Sequence, residues 1–147
     1  MSKKEKRNGK KGMKYAAGLL AAILCLGLSG CSQSAKLADC FDKETLEKDA
    51  KAVIEMGESD DYEGLTGRFD ESIAGSLTQE SYAQYLELVK SKGEFKEYGN
   101  VAFVGQHDDK TDKDYAAVVV VREYEEGKLQ YVVGYDEDMD LVQYTVK

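Results

Sequence analysis

The order of its hydrophobic repeats restricts the fold of this sequence more than any other feature. Within residues 42–147, apolar residues recur every three or four positions, as in an amphipathic helix, only before Gly93. Strand-like alternation and continuous apolar runs begin at Val101 and continue to Val146. Helices that precede strands, instead of alternating with them, predict an α+β domain with an antiparallel sheet.

Three helices are expected in the first half of this domain. The first covers Lys43–Met56 behind an Asp42 N-cap, because its apolar residues form a single stripe. Ser59-Asp60-Asp61 caps a short second helix that carries Tyr62, Leu65 and Phe69. Thr78 caps a third helix, which stops near Gly93 because glycine readily ends helices.

About four strands are expected after the helices. Val101–Val104 is a short apolar strand, and Tyr115–Tyr124 is apolar on both parities, which predicts a central strand covered on both faces. A turn at Glu125–Lys128 leads into the alternating strand Leu129–Tyr135. The last strand is Leu141–Val146. The sequence therefore predicts three helices packed on an antiparallel sheet of about four strands.

Residues 1–30 have the organisation of an export signal. A basic region, Ser2–Lys14, precedes the apolar run Tyr15–Leu28. As a helix this run would reach roughly 21 Å, short of the ~30 Å hydrocarbon core of a bilayer. That length favours a cleavable signal helix over a permanent membrane span, and the basic cluster keeps the N-terminus inside.

The residues Leu28-Ser29-Gly30-Cys31 resemble the bacterial lipobox, in which an aliphatic and two small residues precede a cysteine. This predicts cleavage between Gly30 and Cys31 and attachment of a diacylglyceryl group to Cys31, since two acyl chains hold a protein durably on a bilayer. The expected organisation is a signal peptide at 1–30, a lipidated cysteine and tether at 31–41, and one domain at 42–147. The alternatives are an ordinary secretory signal or an uncleaved anchor, with Cys31 incidental.

The charge of the chain is divided unequally. Residues 1–30 hold seven of the 20 basic residues and one of the 28 acidic ones, which leaves a net charge of −14 on residues 31–147. Such a charge repels phosphate backbones and argues against nucleic-acid binding. It also gives the domain no membrane affinity of its own, so the lipid on Cys31 is expected to be the whole anchor.

No metal or cofactor site is expected. The chain has no C-x-x-C pair, His107 is its single histidine, and Cys40 is left as a free thiol. Acidic turns at Asp108–Asp114 and Asp136–Asp140 lack the frame of a calcium loop, so solvated turns are favoured over calcium sites. His107 has no evident nucleophile beside it and no catalytic motif is present, so no catalytic residue is assigned.

Aromatic side chains are the candidate lining of a cavity between helices and sheet. Aromatic walls with a few hydroxyls suit a small amphipathic ligand. The favoured alternative is that the same side chains are core and half-exposed sheet residues. The candidates are Tyr62, Tyr82, Tyr85, Phe103, Tyr131 and Tyr135.

Several segments together resemble a known family. They are Asp61-Tyr-Glu, Phe69, Ser76-Leu-Thr-Gln-Glu-Ser, Gly93-Glu-Phe95, Tyr115–Val121 and Gly127-Lys-Leu. The pattern resembles the domain of unknown function number 3887, found in lipoproteins of Gram-positive bacteria and related to the nuclear-transport-factor-2-like, or cystatin-like, superfamily. The resemblance implies a curved sheet that wraps helices around a conical pocket. It implies no activity, and Asp138-Met139-Asp140 stands where the family usually has a glycine in the last turn.

The leading functional interpretation is a lipid-anchored domain on the extracytoplasmic face of the cell membrane that binds a small envelope ligand or a protein partner without catalysis. One alternative is an enzyme, or a domain that supports one, using the conical cavity. Another is a self-associating structural domain, because an exposed sheet face can form a homodimer. A cavity closed by tyrosine side chains beside an exposed apolar sheet face would favour association.

Overall fold

The computed structural model describes residues 36–147. The proposed signal helix, the cleavage site at Gly30 and the lipidation site at Cys31 lie outside the described residues. Within residues 36–147 the helices precede the strands, as the order of hydrophobic repeats predicted. No helix in this part of the chain is both long and apolar enough to cross a membrane.

The three helices begin at the predicted caps. Helix α1 spans Lys43–Glu58, with the Asp42 carboxylate accepting a hydrogen bond from the backbone N–H of Thr45. The five-residue helix α2 spans Tyr62–Thr66. Helix α3 spans Gln79–Ser91 and opens with a capping box between Thr78 and Ser81. These local interactions satisfy backbone N–H groups that a helix leaves unpaired at its start.

Four strands form one antiparallel sheet in the order β1-β2-β3-β4. The strands are β1 (Phe95–Asp108), β2 (Lys113–Tyr124), β3 (Gly127–Tyr135) and β4 (Leu141–Val146). Strand β1 extends well beyond the apolar segment Val101–Val104, because it pairs with almost the whole of β2 and accommodates irregular residues as bulges. The length of β1 is thus set by its pairing with the long strand β2, and a local hydrophobic pattern does not show such pairing.

The helices cover one face of the sheet. Alternate residues of β2 and β3 are buried on this face, among them Val118, Val120, Tyr131 and Val133. The other face of β2 is only half-buried, so the expectation of a central strand covered on both faces was wrong. That face is apolar without being covered by any element of the described chain.

The two ends of the sheet differ in their neighbours. We call the end with the β1–β2 and β3–β4 turns the anchor end, because the chain enters the domain near it. There the backbone of Lys36 and Leu37 crosses β1 so closely at Gly105 that a Cβ on this glycine would overlap the Lys36 carbonyl. The opposite end, with the β2–β3 turn at residues 125–126, is the hairpin end.

Candidate interaction surface

Tyrosine side chains fill the space between the helices and the sheet. The Tyr85 hydroxyl lies 3.2 Å from that of Tyr131 and 3.1 Å from that of Tyr144. The Tyr82 hydroxyl donates to the Gly57 carbonyl at 2.6 Å. All four rings are buried, so their hydroxyls bond within the protein.

The structure brings together only part of the predicted aromatic set. The ring of Tyr62 packs 5.3 Å from that of Tyr82, so Tyr62, Tyr82, Tyr85 and Tyr131 are contiguous. Tyr135 is separate, with its hydroxyl donating to Asp49 at 2.8 Å. Phe103 is also separate from this group.

The remaining aromatic candidates are held by charged residues of helix α1. The Nζ of Lys43 lies 5.6 Å from the centre of the Phe103 ring. Asp49 accepts the Tyr135 hydroxyl and two hydrogen bonds from Arg68, at 2.9 and 3.3 Å. Hydrogen bonding to Asp49 raises the pKa of Arg68. These contacts brace α1 against the sheet.

A buried carboxylate that the sequence did not reveal lies at the end of α1. Glu58 Oε1 accepts hydrogen bonds from the hydroxyls of Tyr124 and Tyr131, the second at 2.5 Å. The Nε of Arg122 lies 3.2 Å from the same oxygen. Two hydroxyl donors and the Arg122 cation, whose Nε donates to the Tyr124 hydroxyl at 3.1 Å, therefore converge on one carboxylate oxygen. This arrangement compensates the burial of both charges.

Aromatic rings enclose Arg122 on its other sides. Its guanidinium lies 3.8 Å from the centre of the Phe95 ring and 4.9 Å from that of Tyr98, distances at which a cation is attracted to an aromatic face. Arg122 shares the parity of Val118 and Val120 on β2. Both parities of this strand are apolar in the sequence, so only the packing of the helices showed that Arg122 lies on the buried face.

Burial changes the titration of these tyrosines. Desolvation raises the pKa of Tyr82 and of Tyr124 to about 12. It also raises the pKa of Tyr85 and Tyr131. At neutral pH these hydroxyls are therefore protonated donors, as the hydrogen bonds to Glu58 require. The hydrogen bonds of Glu58 with Tyr124 and Tyr131 therefore join the end of α1 to β2 and β3.

Carboxylates are concentrated at the anchor end. Oxygens of Asp70, Asp136 and Asp140 lie within 4.8 Å of one another. Asp70 is far from the last turn in the chain, so only the fold brings these carboxylates together. Asp70 accepts hydrogen bonds from Ser72, and Asp136 accepts the backbone N–H groups of Asp138 and Asp140. These are the bonds of ordinary acidic turns.

His107 lies at the same end, on β1. Its Nδ1 is 2.8 Å from Asp114 Oδ1, and the hydrogen bond to Asp114 raises the pKa of the imidazole. Asp109 and Asp112 lie 3.8 and 3.5 Å from its other nitrogen. The ring is exposed, so this group is part of the acidic surface of the anchor end.

The face of the sheet away from the helices, which we call the outer face, has an uncharged centre. Residues of the same parity at its two ends are charged, namely Asp108 and Lys113 at the anchor end and Glu97, Glu123 and Lys128 at the hairpin end. Strand pairing places eleven exposed or half-buried residues between these ends, and none of them carries a charge at neutral pH. The residues are Ala102, Val104, Gln106, Tyr115, Ala117, Val119, Val121, Gln130, Val132, Gln143 and Thr145.

Charged residues border the outer face at the hairpin end. Glu123 of β2 is paired with Lys128 of β3, and both share the parity of the outer face. An open depression of about 290 Å³ lies beside them, lined also by Lys96, Glu97, Tyr124 and Gly127. An apolar centre with a rim of mixed charge is the arrangement found at protein–protein contacts.

Two comparisons with known proteins find relatives of this chain. Residues 50–143 match the model of a family described as a protein of unknown function, DUF3887. The chain is also similar to a protein from Ruminococcus gnavus ATCC 29149 whose structure was solved by NMR. The two are 45% identical with a TM-score of 0.67, over 75% of this chain and 95% of the other. No curated protein matches significantly.

Proposed function

The chain belongs to the DUF3887 family of proteins of unknown function, and we propose that it is a lipid-anchored, non-catalytic domain that binds a protein partner on the extracytoplasmic face of the cell membrane. The uncharged centre of the outer face, in which alanine and valine side chains predominate, carries this proposal. An apolar surface patch of a few hundred Å² on a protein is commonly a site of interaction.

Anchoring is supported by the leader and by the charge of the domain. The basic region, the short apolar run and the lipobox-like sequence end at Cys31. The net charge of −14 on residues 31–147 repels anionic lipid, so a covalent lipid supplies the attachment that the surface of the domain does not. A similar argument from charge disfavours nucleic acid as the partner.

Binding by the outer face is supported by the way the interior is filled. Tyr85, Tyr131 and Tyr144 occupy the space between helices and sheet, and their hydroxyls bond one another. A small ligand at this place would have to displace them. We also propose the nuclear-transport-factor-2-like superfamily for this fold, because its helices lie against one face of an antiparallel sheet.

Catalysis is the less favoured interpretation. A general base needs a lone pair that can reach the proton of a bound molecule. Two tyrosine hydroxyls and the Arg122 cation already converge on Glu58 Oε1, and the His107 imidazole bonds Asp114 on the exposed surface. Glu58 therefore joins the end of α1 to the sheet, and His107 belongs to the exposed acidic surface of the anchor end.

The proposal has two parts that can be tested in one bacterial strain producing the full chain. For the anchor, cells are fed a fatty-acid analogue, and the protein should be labelled and remain with the membrane. Cys31→Ala should abolish the label, whereas the control Cys40→Ala should keep it. An unlabelled wild type, or equal labelling of Cys31→Ala, would contradict the anchor.

For the interaction, a photoreactive amino acid is placed at Val119 on the outer face. Irradiation should join the protein to a partner protein in the membrane. The control position is Ala83, which is exposed on helix α3 on the other side of the molecule. If cross-linking at Val119 does not exceed that at Ala83, the outer face is not the interaction surface.

A further inference from the structure

We propose that the partner of the outer face is a second copy of this chain, held side by side on the same membrane with strand β2 of each copy opposite β3 of the other. This inference rests on the proposed function and adds the identity and the geometry of the partner. Charge, anchor position and surface size each support it.

The charge of the domain leaves one face on which two copies can approach. Each carries a net charge of −14 over residues 31–147, so most surfaces of one copy repel those of another. The eleven central positions of the outer face carry no charge, and the charged residues of the same parity lie at its two ends. Contact through this face keeps the acidic surfaces of the helices on the outside of the pair.

The position of the anchor selects the symmetry axis. The chain enters the domain at the anchor end, where Lys36 crosses Gly105. Lys36 is five residue steps along the chain from Cys31, which allows a reach of about 18 Å at most. Two copies with lipids in one membrane must both direct this end to the bilayer. A two-fold axis that runs along the strands satisfies this requirement.

The rim charges are complementary under the same axis. When the axis passes between β2 and β3, each residue of β2 faces, on the other copy, the β3 residue that is its own register partner. We call residues in the same register across the sheet residues at the same height. Glu123 and Lys128 are at one height, so Glu123 of each copy faces Lys128 of the other. An axis across the strands would instead place Glu123 opposite Tyr115 and separate it from Lys128 of the other copy.

The apolar centre is compatible with this arrangement. Val119 and Val132 are register partners, so each Val119 packs against Val132 of the second copy. Ala102 is at the same height on β1, and Thr145 is at that height on β4. Small and β-branched side chains such as these let two sheets pack closely with their strands within about 30° of each other.

The size of the face predicts weak association that the membrane strengthens. Four strands and about six residues of each cover roughly 400 Å² in projection. A stable interface commonly buries about 800 Å² on each partner. Confinement of both copies to one membrane raises their effective concentration, which favours pairing without further contacts.

The test uses the full chain in producing cells, with Cys40→Ser to remove the exposed thiol of the domain. One tagged copy carries V119C, a second copy with a different tag carries V132C, and the membranes are oxidised. The expected product is a disulfide that joins the two differently tagged copies. V119C joined to V119C and V132C joined to V132C should be minor, because under the proposed axis these positions do not face themselves.

The control is A83C in both tagged copies, which should give only background cross-linking. Dominant V119C–V119C products would overturn the proposed axis. Yields no greater than those of A83C would overturn the pairing. The fatty-acid label is measured in the same samples, so a loss of pairing with the label retained leaves the anchor of the proposed function standing. Photo-cross-linking of Val119 to a different protein would support the proposed function and overturn this inference.

The rim is tested by charge reversal in trans, with V119C and V132C retained. A copy with E123K or a copy with K128E should pair with itself about fivefold less than the unaltered chain, since attraction becomes repulsion at two positions. E123K mixed with K128E should restore the yield, because opposite charges again face each other between copies. Each variant keeps a like-charged pair within its own chain, so only an intermolecular contact explains this rescue. Equal yields in all mixtures would overturn the proposed contact.

Discussion

Glu58 and Arg122 form an ion pair in which both side chains are almost completely buried, with exposed fractions of 12% and 5%. They lie in different layers of the domain, Glu58 at the end of helix α1 and Arg122 on strand β2 of the sheet. A buried ion pair of this kind contributes little compared with well-packed apolar residues, but removing one partner is costly. The pair therefore makes the junction of helix and sheet sensitive to single substitutions.

Glu58→Gln should destabilise the domain by about 3 to 5 kcal/mol, because Arg122 would remain buried without a negative partner. The measurement is urea unfolding of residues 36–147. Glu55→Gln is the matched control, since Glu55 lies on the same helix but is exposed, and it should change the free energy of unfolding by less than about 0.5 kcal/mol. Equal effects of the two substitutions would contradict the role of the buried pair.

Tyr85→Phe should cost about 1 to 3 kcal/mol, because it removes the hydroxyl that bonds those of both Tyr131 and Tyr144. Urea unfolding again provides the measurement. Tyr115→Phe on the outer face should leave the unfolding midpoint nearly unchanged. If Tyr85→Phe behaves like this control, the hydroxyl cluster does not contribute to stability.

The domain should lose stability above pH 10. Burial raises the pKa of Tyr82 and Tyr124 to about 12, whereas the same groups titrate near 10 when unfolded. Between these values the unfolded chain has released protons that the folded protein retains. The stabilisation is thus complete below pH 10 and is lost as pH rises through about 12.

Tyrosinate absorbance and circular dichroism should measure this transition together. We expect tyrosinate from the buried rings to form in step with the loss of the folded signal. Titration in concentrated urea is the control and should show tyrosinate near pH 10. Ionisation of every tyrosine near pH 10 with the fold intact would contradict the effect of burial.

Asp114→Asn should lower the pKa of His107 toward its ordinary value. The hydrogen bond from the imidazole to the Asp114 carboxylate is the main cause of the raised pKa, and an amide carries no negative charge. NMR titration of the imidazole ring protons measures the change. Asp109→Asn should have the smaller effect, because Asp109 lies 3.8 Å from the ring and Asp114 lies 2.8 Å from it. The reverse order would show that Asp114 is not the dominant partner.

Gly105→Ala should detach the entering chain from the sheet. Its Cβ would overlap the Lys36 carbonyl and crowd Leu37, so this segment must move while the strands of the sheet remain paired. Hydrogen exchange should increase near residues 36–38 and stay slow in β2 and β3. Unchanged exchange at residues 36–38 would show that the crossing at Gly105 does not hold the entering chain.

Much of the fold could be predicted from local patterns. Asp42 and Thr78 mark helix starts because each caps its own helix, and Gly93 follows the last one with φ at +83°. The full length of β1 could not be predicted, since pairing with β2 extends it beyond its apolar segment. The candidate site was less predictable, because register and packing decide which side chains meet.

The sequence by itself determined the order of helices and strands, the acidic charge and the parity of each strand, because periodicity, capping and composition act over a few neighbouring residues. Only the tertiary structure decided that Glu58 would meet Arg122 and that one face of β2 would remain uncovered. The reason is physical. A residue's parity fixes the side of the sheet to which it points, whereas burial depends on whether a distant segment packs there. Helices α1 and α3 contribute to the core on one side of this sheet, and on the other the apolar outer face remains accessible.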